Sequence, residues 1–197
     1  MTTDDTRERI LKVAMQIFSK YGFQKTTMDE IARTAHKAKG SVYYYFNSKE
    51  DLFRAVVQQE INDIKSGLTK VIIKQQETTA LIKEYLLQRM YLIKNAVNYH
   101  ETVRADFSEK YEFVEDIREE FFRFETDLLK AFLDKGVEEN KLEIRDTTAT
   151  ANMIILAMKA IEIPFYLQKH ISQYEQTIKE LLDILIRGLK RGYENSE

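Results

Sequence analysis

Residues 26–53 read TTMDEIARTAHKAKGSVYYYFNSKEDLF, two short helical patterns separated by a tight turn, and the rest of the chain is arranged around them. Thr27 followed by Glu30 spells a capping box, so a helix starts there and buries Met28, Ile31, Ala32 and Ala35 on one face. His36 to Ala38 form the turn. Lys39 to Phe46 form the next helix, with Val42 and Phe46 pointing back at the preceding elements. At ~1.5 Å per residue its roughly eight residues span ~12 Å, which suits end-on entry into a major groove ~12 Å wide.

The side chains on that helix are poor core filler. Lys39 can reach a guanine edge or a phosphate, Gly40 lets backbone approach closely, and Ser41 is a small donor and acceptor. Tyr43, Tyr44 and Tyr45 cannot all face one core, so at least one phenol points outward toward a phosphate oxygen. Thr27 and Lys49 sit at helix N-termini, where free N–H groups and the dipole favour an anion, and Lys37 adds charge in the turn. Together these imply contact with double-stranded DNA.

Upstream, Asp5 and Glu8 open a first helix whose stripe is Ile10, Val13, Ala14, Ile17, Phe18 and Tyr21, closed by Gly22. Downstream, Ser48 caps a connecting helix from about Lys49 to Gln75, in which Gly67 marks a bend or an end. Thr78 or Thr79 caps a helix reaching about Asn98. Asn98 to Ser108 is a break holding a short helix, and the longest pattern runs from about Phe113 to Glu139. The pattern from Asp146 to about Gln168 contains Met153 to Met158, apolar on every side, and Pro164, which bends or ends a helix. A last helix spans about Tyr174 to Tyr193.

Composition supports this reading. Only 6 Gly and 1 Pro in 197 residues favour long helices, so the fold class is all-α: an N-terminal three-helix helix-turn-helix domain (1–48) followed by a helical domain (49–197), for which the family resemblance set out below implies ligand binding and dimerisation. With 44% hydrophobic residues the chain can bury a sizeable core. The net charge of −2 hides an asymmetry: residues 1–50 hold nine Lys or Arg against six Asp or Glu, leaving −5 for the remainder. A mildly basic head on an acidic body confines attraction for phosphate to one end. The chain has no Cys, which excludes a disulfide scaffold and fits a reducing, cytoplasmic setting. No membrane span or secretory signal is expected.

On Phe18, Tyr21, Gly22, Thr26, Thr27, Ile31, Ala32, Ala35, Lys39, Gly40, Tyr43, Tyr45, Phe46, Ser48, Lys49 and Leu52, residues 6–53 resemble the DNA-binding domain of the TetR family (TetR/AcrR-like) of one-component transcriptional regulators. The resemblance covers about a quarter of the chain. It implies a homodimer, a palindromic operator, and a C-terminal domain that binds a small-molecule effector and releases DNA. Lys39, Gly40, Ser41, Tyr43 and Tyr44 resemble the major-groove contacts, and Thr27, Tyr45 and Lys49 the phosphate clamps. This chain departs from the pattern at His36 and Lys37, where Gly and an apolar residue are common, and at Ala38, where Ser or Thr often caps the recognition helix.

The resemblance also calls for an effector pocket among the middle helices, for which Tyr85, Arg89, Phe107, Phe121, Phe124 and Phe165 are the candidate lining. A helix that is apolar all round must be covered all round, so the last two helices predict a four-helix interface between two copies, through Ile155, Met158, Ile178, Leu182, Leu185 and Leu189. Gly188 and Gly192 would permit close approach. His36, His100 and His170 have no metal-ligand spacing. With no phosphate loop or nucleophile motif either, neither an enzyme nor a cofactor is expected. The competing reading is a helical small-molecule-binding protein without specific DNA recognition.

Overall fold

The computed structural model describes residues 3–72, 77–104, 109–167 and 171–190. Along them run α1 (Thr3–Tyr21), α2 (Met28–Thr34), α3 (Lys39–Tyr45), α4 (Lys49–Ile72), α5 (Thr78–Asn95), α6 (Val97–Arg104), a 3-10 segment (Glu109–Val114), α7 (Glu115–Glu138), α8 (Thr147–Leu167) and α9 (Ile171–Leu189). Among the described residues the only β feature is an isolated bridge between Leu142 and Lys190, so the fold is all-α.

By packing, the chain divides into two compact units: Met1–Asp63 with Ala96–Ile117, and Ile64–Asn95 with Arg118–Glu197. This division differs from the expected boundary after residue 48, because α4 does not simply leave the first three helices. Its Leu52, Phe53, Val56, Val57 and Ile61 are fully buried, and α6 joins the same unit.

In the first unit Ile10, Ala14 and Phe18 of α1 lie in one core with Ile31 and Ala32 of α2 and Val42 of α3. Gly22 has φ 82°, and its N–H bonds Phe18 O at 2.7 Å, a left-handed helix end that suits a residue without Cβ. The apolar stripe of α1 stops at Phe18. Tyr21, expected on the stripe, is exposed, with the Lys20 ammonium 4.8 Å above its ring. Phe23 takes the buried place instead, 4.9 Å from the Phe53 ring and 5.8 Å from that of Tyr111. The Glu101 carboxylate of α6 accepts the Phe23 N–H at 2.9 Å and the Tyr111 hydroxyl at 2.7 Å, holding the α1–α2 turn.

In the second unit Gly67 does not end α4, which runs on to Ile72. A Cβ there would stand 2.6 Å from Leu92 Cδ1, so glycine permits close approach of α5. Similarly, α8 continues through Pro164 to Leu167. Arg89 of α5 and Glu125 of α7 form an ion pair (Nε to Oε1 2.6 Å) with both side chains wholly buried. Such a pair must satisfy its own hydrogen bonds, because removing one partner strands a charge. Residues 73–76, 168–170 and 191–197 fall outside the described residues, and with them the expected helix ends at Gln75, Gln168 and Tyr193, and also Gly192.

Candidate nucleic-acid interface

Thr27 opens α2 with the anticipated reciprocal cap. Its Oγ1 accepts the Glu30 N–H at 3.3 Å, while Glu30 Oε2 accepts the Thr27 N–H and hydroxyl, each at 2.9 Å. These donors hold the Glu30 carboxyl below its ordinary pKa. The other end of α2 is closed by a Schellman arrangement: Lys37 N–H bonds Ala32 O at 2.9 Å and His36 N–H bonds Arg33 O at 3.1 Å. His36 carries the left-handed backbone this closure needs, φ 54°. That is the position where the family pattern commonly has Gly. Ala38 sits at the N-cap of α3 in extended conformation and supplies no side-chain cap.

This frame aims α3. Val42 is fully buried and Phe46 nearly so, and these two anchor the helix, while Gly40 and Tyr44 face solvent, Tyr44 at 76% exposure. A Cβ on Gly40 would meet nothing within 4 Å, so the glycine leaves an open approach to the backbone and is not required by packing. Tyr43 is exposed, Ser41 and Tyr45 are half-buried, and the Tyr44 and Tyr45 rings meet edge-on at 5.0 Å. Lys39 is exposed and paired with Asp29 of α2 at 2.9 Å, with its ammonium 5.9 Å from the Tyr43 ring centroid. The carboxylate beside it raises the Lys39 pKa.

Two lysines behave differently from expectation. The Lys49 ammonium donates to Phe23 O at 3.0 Å and lies 4.4 Å over the Phe23 ring. It is already engaged in holding the α1–α2 turn, which is a structural reason to discount it as a simple phosphate clamp. The first turn of α4 is likewise occupied: Ser48 Oγ accepts the Asp51 N–H at 3.0 Å, and Asp51 reaches back to the Asn47 N–H at 2.9 Å. Lys37 is half-buried and donates to Thr6 Oγ1 at 3.2 Å. Arg33, by contrast, was not singled out from the sequence. Exposed in the last turn of α2, it lines with Asp29, Ala32, Lys37 and Lys39 a cleft of about 390 Å³. Its position four residues after Asp29, on the solvent face of α2, was the available signal.

In the second unit the expected effector residues described fall into two groups, one on α5 and one on α7. Tyr85 and Arg89 are fully buried on α5, the Tyr85 hydroxyl donates to Glu125 O at 3.3 Å, and Phe121 stacks with Phe124 at 6.5 Å on α7. Burial pushes the Tyr85 phenol up, so it remains a neutral donor. Glu125, which neutralises Arg89, was missed because nothing in the local pattern marks an inward acid. Phe107 lies outside the described residues, and of Phe165 only its place in α8 is described.

Six residues are expected at an interface between copies. Ile155, Met158, Ile178 and Leu182 are already buried within this chain, while Leu185 and Leu189 are half-buried. The uncovered face is rotated by about one residue on each helix: Met153 (63% exposed) and Leu156 on α8, Leu181 and Ile184 on α9. Beside it lies an apolar groove of about 540 Å³ lined by both helices, including Met153, Ala157, Leu181 and Leu185. Gly188 has open space around it.

Residues 10–56 match the sequence pattern of bacterial regulatory proteins of the tetR family. Over nearly its whole length the chain is 23% identical to an uncharacterized HTH-type transcriptional regulator, YhgD, of Bacillus subtilis, covering 94% of this chain and 97% of that protein. It is 25% identical to the HTH-type transcriptional regulator QacR of Staphylococcus aureus, covering 94% and 98%. The solved structure of a SmeT–triclosan complex superposes with TM-score 0.77 at 19% identity, over 95% of this chain and 93% of that one, which establishes a shared fold. With a capped α2 and an exposed α3 in place, residues 10–56 carry the pattern of the tetR family of bacterial regulatory proteins, on a chain similar over nearly its whole length to HTH-type transcriptional regulators.

Proposed function

We propose that this protein is a homodimeric transcriptional repressor that reads a palindromic operator through α3 and leaves it when a small molecule binds the second unit. The observation that carries the reading is α3 itself: anchored by Val42 and Phe46, it presents Lys39, Gly40, Ser41, Tyr43 and Tyr44 together beside a cleft bearing Arg33 and Lys37. Lys39 and Ser41 are suited to base edges. Tyr44, Tyr45 and Arg33 are suited to phosphate oxygens, which position the helix without reading sequence, whereas Thr27, whose N–H and hydroxyl both bond Glu30, holds the start of α2. Lys49 contributes by fixing the turn and Lys37 by holding α1, so both support the reading face indirectly.

The unpartnered apolar face of α8 and α9 fits a second copy, and a two-fold pair places two recognition helices on two half-sites. The effector acts through differential affinity: a ligand that binds both arrangements equally shifts nothing. Tyr85, Arg89, Glu125, Phe121 and Phe124 are the residues around which we place its site. QacR is named a transcriptional regulator and SmeT was solved with triclosan; a comparable small-molecule response is our proposal for this chain. We also assign it to the cytoplasm and to no catalytic role; among the described residues no helix is long and apolar enough to cross a membrane.

The test is binding to a genomic-fragment pool across a range of salt. Selective enrichment of an inverted repeat supports the regulator. Weak binding without a preferred sequence would leave a helical small-molecule binder as the better description.

A further inference from the structure

Asp29 is the single acid among the five residues lining the cleft between α2 and α3, where Arg33, Lys37 and Lys39 supply the positive charge. It stands in the first turn of α2, and its Oδ1 takes the Lys39 ammonium at 2.9 Å with the two side chains 57% and 60% exposed. Helix capping does not require it, since Thr27 and Glu30 cap each other. The helix dipole favours an acid in this first turn, yet on a surface facing a polyanion the carboxylate weakens attraction for every DNA sequence alike.

We propose that Asp29 is a specificity-determining residue that converts Lys39 from a phosphate anchor into a base reader. The inference rests on the DNA-binding reading above. A free lysine ammonium is a mobile point charge on a flexible stem, and on any duplex it finds the nearest phosphate. That contact adds affinity without sequence information. Asp29 occupies one of the three ammonium donors and, with the Tyr43 ring on another side at 5.9 Å, restrains where the ammonium can go. The two remaining donors can then serve an acceptor pair such as guanine O6 and N7, presented on the groove floor. The carboxylate also lowers the net charge of the cleft, which reduces binding to DNA that offers no such acceptors.

The experiment compares wild type, Asp29→Asn, Lys39→Ala and the double variant on two duplexes. One is a duplex enriched by the wild-type protein from randomised DNA. The other is a shuffled duplex of equal length and composition. Asp29→Asn should bind the shuffled duplex more tightly, with a salt slope steeper by about one counterion, and its ratio of enriched to shuffled affinity should fall roughly tenfold. In the Lys39→Ala background the same substitution should leave the ratio unchanged, because the effect runs through Lys39. Asp29→Glu, which can still reach the ammonium, should recover most of the ratio and guards against a folding defect in the first variant. A ratio within about twofold of wild type for Asp29→Asn, or an equal drop in the Lys39→Ala background, overturns the proposal. If wild type enriches no sequence at all, the regulator reading fails first, an outcome distinct from an unchanged ratio in a sequence-specific protein.

Discussion

The buried carboxylate of Glu60 on α4 accepts the backbone N–H of Tyr99 at 2.8 Å, so one helix of the first unit caps the opening turn of another. Its other oxygen accepts the Asn98 side-chain amide at 2.7 Å, and that amide also reaches Ser19 Oγ at 2.9 Å. Thus α1, α4 and α6 are joined by one polar node inside an apolar core. Desolvation raises the Glu60 pKa above 4.5, more than its hydrogen bonds lower it. Above 4.5 and up to the raised value, the folded chain holds a proton that the unfolded chain has released. The contribution of Glu60 is therefore greatest below 4.5 and is lost as pH rises through the folded value. Glu60→Gln removes the titration and one of two acceptor oxygens, and should lower stability by about 1–2 kcal/mol near pH 5. The deficit relative to wild type should shrink toward pH 7.5. Urea unfolding at the two pH values measures this, and an equal deficit at both would contradict it.

His36 supports a second prediction. A side chain at φ 54° carries a left-handed strain that glycine does not, although His tolerates it better than most residues. His36→Gly should be neutral or stabilise by up to ~1 kcal/mol, the relief partly offset by the greater freedom of glycine in the unfolded chain. His36→Val, β-branched, should lose about 1–2 kcal/mol. The urea midpoint should move with its slope unchanged.

Ala38 gives a third. Its extended backbone is suitable for an N-cap, but it offers no acceptor to the first turn of α3. Ala38→Ser should add about 0.5–1 kcal/mol of stability. Amide hydrogen exchange along Lys39–Tyr45 should slow in the variant. Unchanged exchange would mean the new hydroxyl points elsewhere.

What the sequence disclosed, and what it withheld, follows physical lines. Caps and periodicity are local, so Thr27 with Glu30, a turn at His36 to Ala38 and the inward Val42 and Phe46 could be read directly from residues 26–53, whereas the left-handed closure at His36 could not. Glycines were harder. The left-handed turn of Gly22 was legible from its place after a stripe, whereas Gly67 permits the approach of Leu92, a tertiary fact with no local trace. The same holds for Glu101, Glu60 and Glu125, which look like solvated acids in sequence and prove to be partners of a turn, a helix start and a buried arginine. Lys49 stands where an anion clamp belongs by pattern, but its ammonium turns inward to the Phe23 carbonyl, because that carbonyl at the end of a tight turn has space above an aromatic ring.

A fourth prediction concerns Lys39. On the enriched operator Lys39→Ala should lose about 1–3 kcal/mol, with a smaller loss on shuffled DNA. Lys49→Ala should instead lower the stability of the folded chain by about 1 kcal/mol, through loss of the bond to Phe23 O, and weaken binding to both duplexes to the same extent. Equal losses for Lys39→Ala on both duplexes would make it a phosphate contact.

The last prediction separates folding from assembly on the α8–α9 face. Ile184 is 60% exposed and Leu182 only 1%, although both stand on α9 two residues apart and are alike in hydrophobicity. A glutamate at 182 would place an unpaired charge in the core, which a folded chain does not tolerate, so Leu182→Glu should lose its cooperative unfolding transition. A glutamate at 184 reaches water in the free chain but would put a charge into an apolar patch that a second copy must desolvate. Ile184→Glu should therefore keep wild-type helicity by circular dichroism yet sediment as a monomer, and with one head per particle it should lose the tight binding that two linked half-sites provide. Leu156→Glu on α8 should behave in the same way if the two helices form one continuous face. Should Ile184→Glu remain dimeric while retaining its helicity, the exposed apolar side of α9 would have to serve some other contact, and the pairing of two recognition helices would have to come from elsewhere on the chain.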